Sequence, residues 1–424
     1  MILSIILYTI GIYFLGYSIY WFVSVLIAYL VKNKVSNSTE LKPPKDIWVI
    51  LPAYNPNSHL LKVVESIKKA ESTHKIWIYV LLQENKTINP SSFEQKDDIF
   101  IEEKSFKNLS GNPYHNALQF IVGRLEELEI KNGFECSHIV LLDKDNVVDK
   151  QFFNKHITGI NAGFNLIQGQ RRSYKSSSIS QAYDTISEGL NDLMFRVCKT
   201  KLGWPIEISG SGFSCEKKIF ADAVNQLDKR APGMDKNLMV QLLKQNKSIK
   251  MTYEPQAFVW DEKTSKIEDL KKQRSRWFGN QYFNAYYHSV PLLLRAFKFR
   301  KFSIIDYAIT LWRPPRSFQL FLLPLFAAIE CFYYVNYNNF YTHIPIFTLG
   351  FGFLALAIIL SLNYLKAWSH ARKIIFAIPK ITFNNLLSIR SGISKKNQGN
   401  FVNTAHEELN FENQNNALEE KRAA

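Results

Sequence analysis

The chain has 424 residues, of which 46% are apolar, and carries a formal net charge of +15. The length exceeds one typical domain and implies one large domain with attachments. Cys136, Cys198, Cys215 and Cys331 lack metal-ligand spacing, so a cysteine-held metal centre is excluded and they read as packing residues of a reducing compartment.

From Met1 to Val31 no residue is charged, and about 20 apolar residues suffice to cross a bilayer. A basic start and a small-residue cleavage site are both missing, so the segment reads as an uncleaved anchor rather than a signal peptide. "DIWVILPA" at 46–53 predicts a strand ended by Pro52, and "LLKVVESIKKA" beginning at Leu60 has helical spacing. "KIWIYVLL" reads as a second strand, "YHNALQFIVGRLEEL" as a helix and "HIVLLD" as a third strand. Strands alternating with such helices predict βαβ units and a parallel sheet. Open sheets of this kind bind ligands beyond the carboxyl ends of their strands. Those ends are "PAYN" at 52–55, "QEN" at 83–85 and "DKDN" at 143–146, which points to a nucleotide or phosphate site.

An amphipathic stretch, "SQAYDTISEGLNDLMFRVCK", and a glycine-rich turn, "ISGSGFS", come next. A helix is predicted over about 235–245, a strand within "KSIKMTYEPQAFVW" and a long amphipathic helix over 264–299. Two further apolar runs, about 317–335 and 344–365, are candidate spans. Basic residues flank all three: Lys32 and Lys34 after the first, Arg313 and Arg316 before the second, Arg372 and Lys373 after the third. The positive-inside rule then places the N-terminus outside and both the central block and the C-terminus in the cytoplasm. The positive charge clusters beside these spans and no nucleic-acid-binding signature is present, so it is assigned to anionic lipid and not to nucleic acid. "KFSIIDYAITLWRPPR" and "IIFAIPKITFNNLLSIR" mix apolar and basic residues as interfacial helices do. The stretch from Lys395 is polar, and no internal repeat is found.

Asp143 and Asp145 flank Lys144 at a strand end, where residues i and i+2 of an extended chain point the same way. Two such carboxylates suit a hard cation, Mg²⁺ or Mn²⁺, that also binds phosphate. A solvated turn would need the same residues. Asp235 opens a helical stretch, where Asp also serves as an N-cap. Taken singly these are weak signals; their order is specific. "VILPAYN", "LLDKDN", "ISGSGF", an Asp with Leu238 three residues on, then "QRSRW" (273–277), with spans following, resembles the membrane-bound family 2 glycosyltransferases. That group includes cellulose, chitin, hyaluronan and poly-N-acetylglucosamine synthases.

The resemblance implies an α/β fold. A GT-A-type domain with a mixed, mostly parallel sheet would cover residues 45–300, with an anchor at 1–31. Interfacial segments at 301–316 and 367–394, two spans within 317–366 and a polar, disordered tail at 395–424 would complete the chain. It further implies that Tyr54, with Pro52 and Ala53, lies against the base of a UDP-sugar, and that Glu84 is a further candidate for that contact. Asp143 would contact the nucleotide and, with Asp145, the divalent metal. Gln273, Arg274 and Arg276 would hold the diphosphate. Asp235 would take the place of the catalytic base, Trp277 would stack on the acceptor sugar, and Gly210, Ser211 and Gly212 would border the acceptor path. The implied reaction is inverting sugar transfer from a nucleotide-sugar to a growing polysaccharide at the cytoplasmic membrane face. A lipid acceptor, as in ceramide glucosyltransferases, and an inactive nucleotide-sugar-binding subunit are the alternatives. The sequence departs from the family pattern at Met234, where Glu is usual before the base. It departs again at Asn112, where relatives carry Lys, and at Pro56, where Glu is common.

Overall fold

Period-two alternation along the first strand sets the two faces of the central sheet. Trp48 and Ile50 enter one apolar cluster, whereas Ile47, Val49, Leu51 and Ala53 enter the other. A computed structural model describes residues 2–32, 45–93, 97–173, 178–245, 249–261, 267–337 and 344–394. The polar tail from 395, Lys34, and residues 264–266 of the long helix lie outside them.

The first membrane helix, α1 (Ile2–Leu30), leads to β1 (Asp46–Tyr54), α2 (His59–Lys69), β2 (Ile76–Gln83), β3 (Ile99–Glu103), α3 (Pro113–Asn132) and β4 (Cys136–Leu141). There follow β5 (Val147–Val148), α4 (Phe152–Asn161), β6 (Leu166–Ser173) and α5 (Ile179–Asp192), which runs through a π-helical turn at Leu193–Val197 into α6 (Cys198–Leu202). Then come β7 (Phe213–Glu216), α7 (Lys217–Asn225), α8 (Asp235–Gln245), β8 (Met251–Asp261) and α9 (Ile267–Phe299). The chain closes with α10 (Phe302–Thr310), α11 (Arg316–Tyr337), α12 (Ile346–Tyr364), α13 (Trp368–Ile374) and α14 (Ile378–Ile393).

The eight strands form one mixed sheet in the order β3-β2-β1-β4-β7-β6-β8-β5. β1 pairs in parallel with β2 and β4, and β6 with β8, while β7 runs antiparallel to both β4 and β6. One face is covered by α2 and α4, through Leu60, Val63, Phe152 and Ile157. The other is covered by α3, α7, α8 and the C-terminal half of α9, through Leu118, Phe220, Leu238 and Leu292. Local sequence fixes the ends of α3. Asn112 caps it, its side chain accepting from the Tyr114 N–H; Pro113 starts it and Gly133 ends it at φ 68°. α5 begins with a capping box of Ser178 and Gln181.

Among the described residues, three helices are long and apolar enough to cross a membrane, over Ile5–Leu30, Arg316–Asn336 and Ile346–Tyr364. α1 packs along α12, where Trp21 Nε1 donates to Ser361 Oγ at 3.2 Å. The lone acid of α11, Glu330, accepts from the N–H and the hydroxyl of Thr348, at 2.8 and 2.7 Å. With 29 residues, α1 is about 43 Å long, more than a hydrocarbon core of about 30 Å. Its C-terminal half also touches α10 and α6. The Tyr17 hydroxyl donates to the Ile309 carbonyl at 2.6 Å, Tyr20 to Asp306 at 3.1 Å, and Lys201 to the Ala28 carbonyl at 2.6 Å. α14 approaches α9 at two glycines: a Cβ on Gly279 would stand 2.7 Å from the Gly392 carbonyl oxygen. The face of α14 opposite this contact exposes Phe383 and Leu386.

Candidate active site

The carboxyl ends of β1 and β4 open on a cavity of about 350 Å³, closed from the far side by the first turns of α8 and by α9. β1 delivers Pro52 and Tyr54 to its wall. Ala53, expected beside them, points to the opposite face of the sheet and is buried in the α2–α4 core; the strand's alternation puts it there.

Asp143 and Asp145 both line the cavity. The expected extended conformation is replaced by a turn that Asn146 closes, its Oδ1 accepting from the Asp143 N–H at 3.1 Å and its own N–H donating to the Asp143 carbonyl at 3.1 Å. Burial and the charge of Asp145 push the Asp143 carboxyl above the ordinary range, against the pull of Arg171. Lys144, between the two acids, reaches back and donates to the carbonyls of Tyr54 and Asn55, both at 2.8 Å. It thereby ties the β4 turn to the β1 turn, where Asn55 sits at φ 43°.

A like-charged pair in a buried place is relieved by a cation, and this tests whether a divalent metal fits. Two carboxylate groups and a cavity with room for phosphate oxygens are the hard oxygen set that Mg²⁺ or Mn²⁺ takes, with diphosphate and water completing the shell. Among the described residues no cluster of three or more His, Cys, Asp or Glu exists.

α8 presents Asp235 at its first turn. Asn280 of α9 donates to Asp235 Oδ1 at 2.5 Å, and Lys236 Nζ lies 3.7 Å from Oδ2. Asn280 belongs to a ladder of buried amides: Asn284 donates to Asn280 Oδ1 at 2.9 Å, and Asn237 to Asn284 at 2.9 Å. Gly233 makes room for it, because a Cβ there would stand 2.7 Å from Asn280 Nδ2. Met234 turns its side chain into the core, and Asn112 ties the α3 cap to the Ala231 carbonyl at 3.1 Å.

α9 contributes Gln273, Arg274, Arg276 and Trp277 to the wall. Arg276 stands where both Asp143 and Asp235 act on it; burial lowers its pKa and these two acids oppose that shift. Trp277 is 41% exposed, so its ring faces open space. Arg274 packs its guanidinium 4.7 Å from the Trp277 ring centre and 5.0 Å from that of Tyr183, and it pairs with Asp184 of α5. Gln273 Oε1 and Arg274 Nε are buried without a hydrogen-bond partner among the described residues.

Gly210 lines the cavity at φ 88°, with Asp235 Cβ 3.9 Å from where its Cβ would be. Ser211 and Gly212 are buried behind the wall. Gln168 holds this loop from below, accepting from the Ser209 N–H at 2.9 Å and donating to the Ser211 and Gly212 carbonyls, each at 3.1 Å. Glu84 also lies outside the cavity wall. It ends β2 at φ 51° and its carboxylate is drawn to Lys107, 2.8 Å away.

Sequence reasoning missed several wall residues. Arg171 of β6 donates to Asp261 and to the Ser209 carbonyl, at 2.8 Å for the latter. Glu207 accepts from Arg313 Nη1 at 2.5 Å, from Arg313 Nη2 at 3.1 Å and from Lys236 at 3.2 Å. Although burial opposes it, these cations push Glu207 down to about 2. Asn385 of α14 and Arg316 at the start of α11 also line the cavity. "RRS" at the end of β6 and "RPPR" before α11 were the available signals, but neither strand β6 nor the turn was assigned a place in the site.

A family model described as glycosyl transferase family group 2 matches residues 138–365. No curated protein matches the sequence. Among solved structures, the chain is similar to the mannosyltransferase PcManGT from Pyrobaculum calidifontis, in complex with GDP-Man and Mn²⁺. The two are 12% identical over 83% of this chain and 96% of that one, with a TM-score of 0.49. TarS of S. aureus, residues 1–349, is 10% identical over 84% of this chain and 93% of that one, with a TM-score of 0.36.

Proposed function

Since the chain belongs to glycosyl transferase family group 2, with a mixed-sheet GT-A-type domain, we propose that it moves a sugar, with inversion, from a nucleotide-sugar such as a UDP-sugar to a glycan at the cytoplasmic face of a membrane. One observation carries this reading: Asp143, Asp145, Asp235, Arg276 and Trp277 line a single cavity beneath the membrane helices.

In this mechanism Tyr54 borders the base, and Asp143 and Asp145 would hold a divalent ion. When bound, the ion neutralises charge on the diphosphate. Arg276 faces the same oxygens from α9, and its planar fork suits two of them at once. Gln273 stands beside it. Asp235 accepts the proton of the attacking acceptor hydroxyl as the new bond to the anomeric carbon forms. The bond from that carbon to the diphosphate breaks, and the nucleoside diphosphate leaves with the electron pair. Asn280, donating to Oδ1, restrains the carboxylate and leaves Oδ2 to take the proton. Trp277 offers its exposed ring to the apolar face of the acceptor sugar.

A lipid acceptor is the second reading. It is favoured by the cavity's lining, which includes both Trp277 and Arg316, the first residue of a candidate membrane helix. The test is a panel of UDP- and GDP-sugars given to the full chain in lipid nanodiscs with Mn²⁺ or Mg²⁺. Nucleotide release and product size are followed. Release with a polymeric product supports the first reading, and release with an organic-extractable product supports the second. Nucleotide binding without turnover contradicts both.

A further inference from the structure

Asp235 accepts a hydrogen bond from the Asn280 amide, and that contact holds in one direction only. A half-turn of the amide would set its oxygen, not its N–H, against the carboxylate. The direction is fixed from a distance. In the connection between α7 and α8 the Asp228 N–H donates to Asn237 Oδ1 at 2.8 Å. A backbone N–H can only donate, so Asn237 Oδ1 is held there and Nδ2 is turned to α9, where it donates to Asn284 Oδ1 at 2.9 Å. Asn284 Nδ2 is thereby left to face Asn280, donating to its Oδ1 at 2.9 Å and to its backbone carbonyl at 2.8 Å. With its oxygen engaged, Asn280 turns Nδ2 to Asp235.

Asn237 and Asn284 are 0% exposed and Asn280 is 3% exposed. Bulk water therefore does not satisfy a turned amide, and one reversed rung would leave buried polar groups mismatched along the whole ladder. Asn280 lines the cavity, whereas Asn237 and Asn284 stand behind its wall. Beyond Asn237 the ladder fades. His288 Nε2 lies 3.5 Å from Asn237 Nδ2, at the outer limit of a hydrogen bond, and its Nδ1 faces Lys244 Nζ at 3.0 Å.

We infer that Asn284 and Asn237 are positioning residues, which act through Asn280 and fix the end of its amide that the Asp235 carboxylate meets. An N–H at that place favours the charged, proton-accepting form of a carboxylate. The catalytic consequence rests on the reading of Asp235 as the base; the hold on its carboxylate does not. Lys236 of α8, Arg276 of α9 and Tyr307 of α10 also act on Asp235, and every variant below leaves them in place.

The test uses the full chain in lipid nanodiscs and two readouts. The first is thermal unfolding without nucleotide, in a double-mutant cycle of Asn284→Leu and Asp235→Leu, two residues joined through Asn280. The double variant is expected to lose less melting temperature than the two single losses summed, by at least 2 °C, and the shortfall should vanish in the Asn280→Ala background. Additive losses overturn the inference, as does a shortfall that persists in that background. The second readout is nucleotide release from whichever sugar nucleotide of the panel turns over. Asn284→Leu is expected to lower kcat at least threefold and to move the acid limb of the pH–rate profile to higher pH. Affinity for UDP with Mn²⁺ should stay within twofold, and kcat should fall no further in the Asn280→Ala background. Loss of stability with the limb unmoved would make Asn284 a packing residue and overturn the inference. His288→Gln, beyond the ladder, should leave the limb in place; a shift equal to that of Asn284→Leu overturns the inference as well. Asn284→Ala repeats both readouts if the leucine variant does not fold. Absence of turnover in wild type with every sugar nucleotide counts against the transferase reading, while the melting cycle still decides the ladder.

Discussion

Replacing Glu207 by Gln removes the one carboxylate that joins the α8 turn, through Lys236, to the membrane-side turn, through Arg313. Among the described residues, Arg313 is then left buried without a carboxylate partner, and Lys236 keeps only Asp235, 3.7 Å away. Breaking a buried pair in this way costs about 3–5 kcal/mol. A second route gives a similar figure. The Glu207 carboxyl is held at about 2, against 4.5 for the free group, and a gap of roughly 2.5 pH units corresponds to about 3 kcal/mol. Its folded pKa is depressed, so this stability is fully present above pH 4.5 and is lost as pH falls toward 2. Thermal unfolding of wild type and Glu207→Gln, followed by circular dichroism in nanodiscs, measures it. At pH 7 a loss of about 3 kcal/mol should lower the melting temperature by about 6–12 °C, using the usual scale for a domain of this size, and the gap should narrow below pH 4.5. A variant within 1 °C of wild type at pH 7 would contradict the proposed coupling of Glu207 to both cations.

Asp235→Asn should lower turnover by about 10²–10⁴-fold while leaving nucleotide affinity near wild type, as measured by nucleotide release and by calorimetry with UDP. Asn280→Ala, which frees the Asp235 carboxylate, should lower turnover less and shift the acid limb of the pH–rate profile; an unchanged profile counts against an orienting role. Arg276→Lys should not restore the affinity lost in Arg276→Gln, because an ammonium lacks the planar fork; calorimetry on the two variants decides this. His115 and His138 are held neutral by burial, at about 4 each, and His156 at about 3. Their folded pKa values lie below the unfolded 6.5, so stability should fall as pH drops from 6.5 toward 4, and melts across that window that stay level contradict it.

The strands with long apolar runs, β1, β2 and β4, were legible because each is buried on both faces and bounded by turn residues. α8 and α9 were legible through their helical spacing. β6 and β7 were not: "LIQGQRRS" ends in charge and "FSCE" has four residues, so neither carries a period. Both are strands because β4 and β8 pair with them, which is a tertiary cause. In the site, "DKDN" and "QRSRW" are legible through their order along the chain, whereas Glu207 and Asn280 reach the cavity from segments whose local sequence names no ligand, and the basic "RRS" and "RPPR" that carry Arg171 and Arg316 do not by themselves place those residues in the cavity. Glu84 shows the converse. It stands at a strand end, as a base contact would, but Lys107 from the β3–α3 connection captures it.

The central claim is that the acids after β4 and a guanidinium of α9 grip one diphosphate. Calorimetric titration of the full chain with UDP, with and without Mn²⁺, tests it in wild type, Asp145→Asn, Arg276→Gln and the control Glu84→Gln. The expected result is Mn²⁺-dependent binding in wild type and the control, with at least tenfold weaker binding in each of the other two. Undiminished, Mn²⁺-independent binding in Asp145→Asn and Arg276→Gln would contradict it.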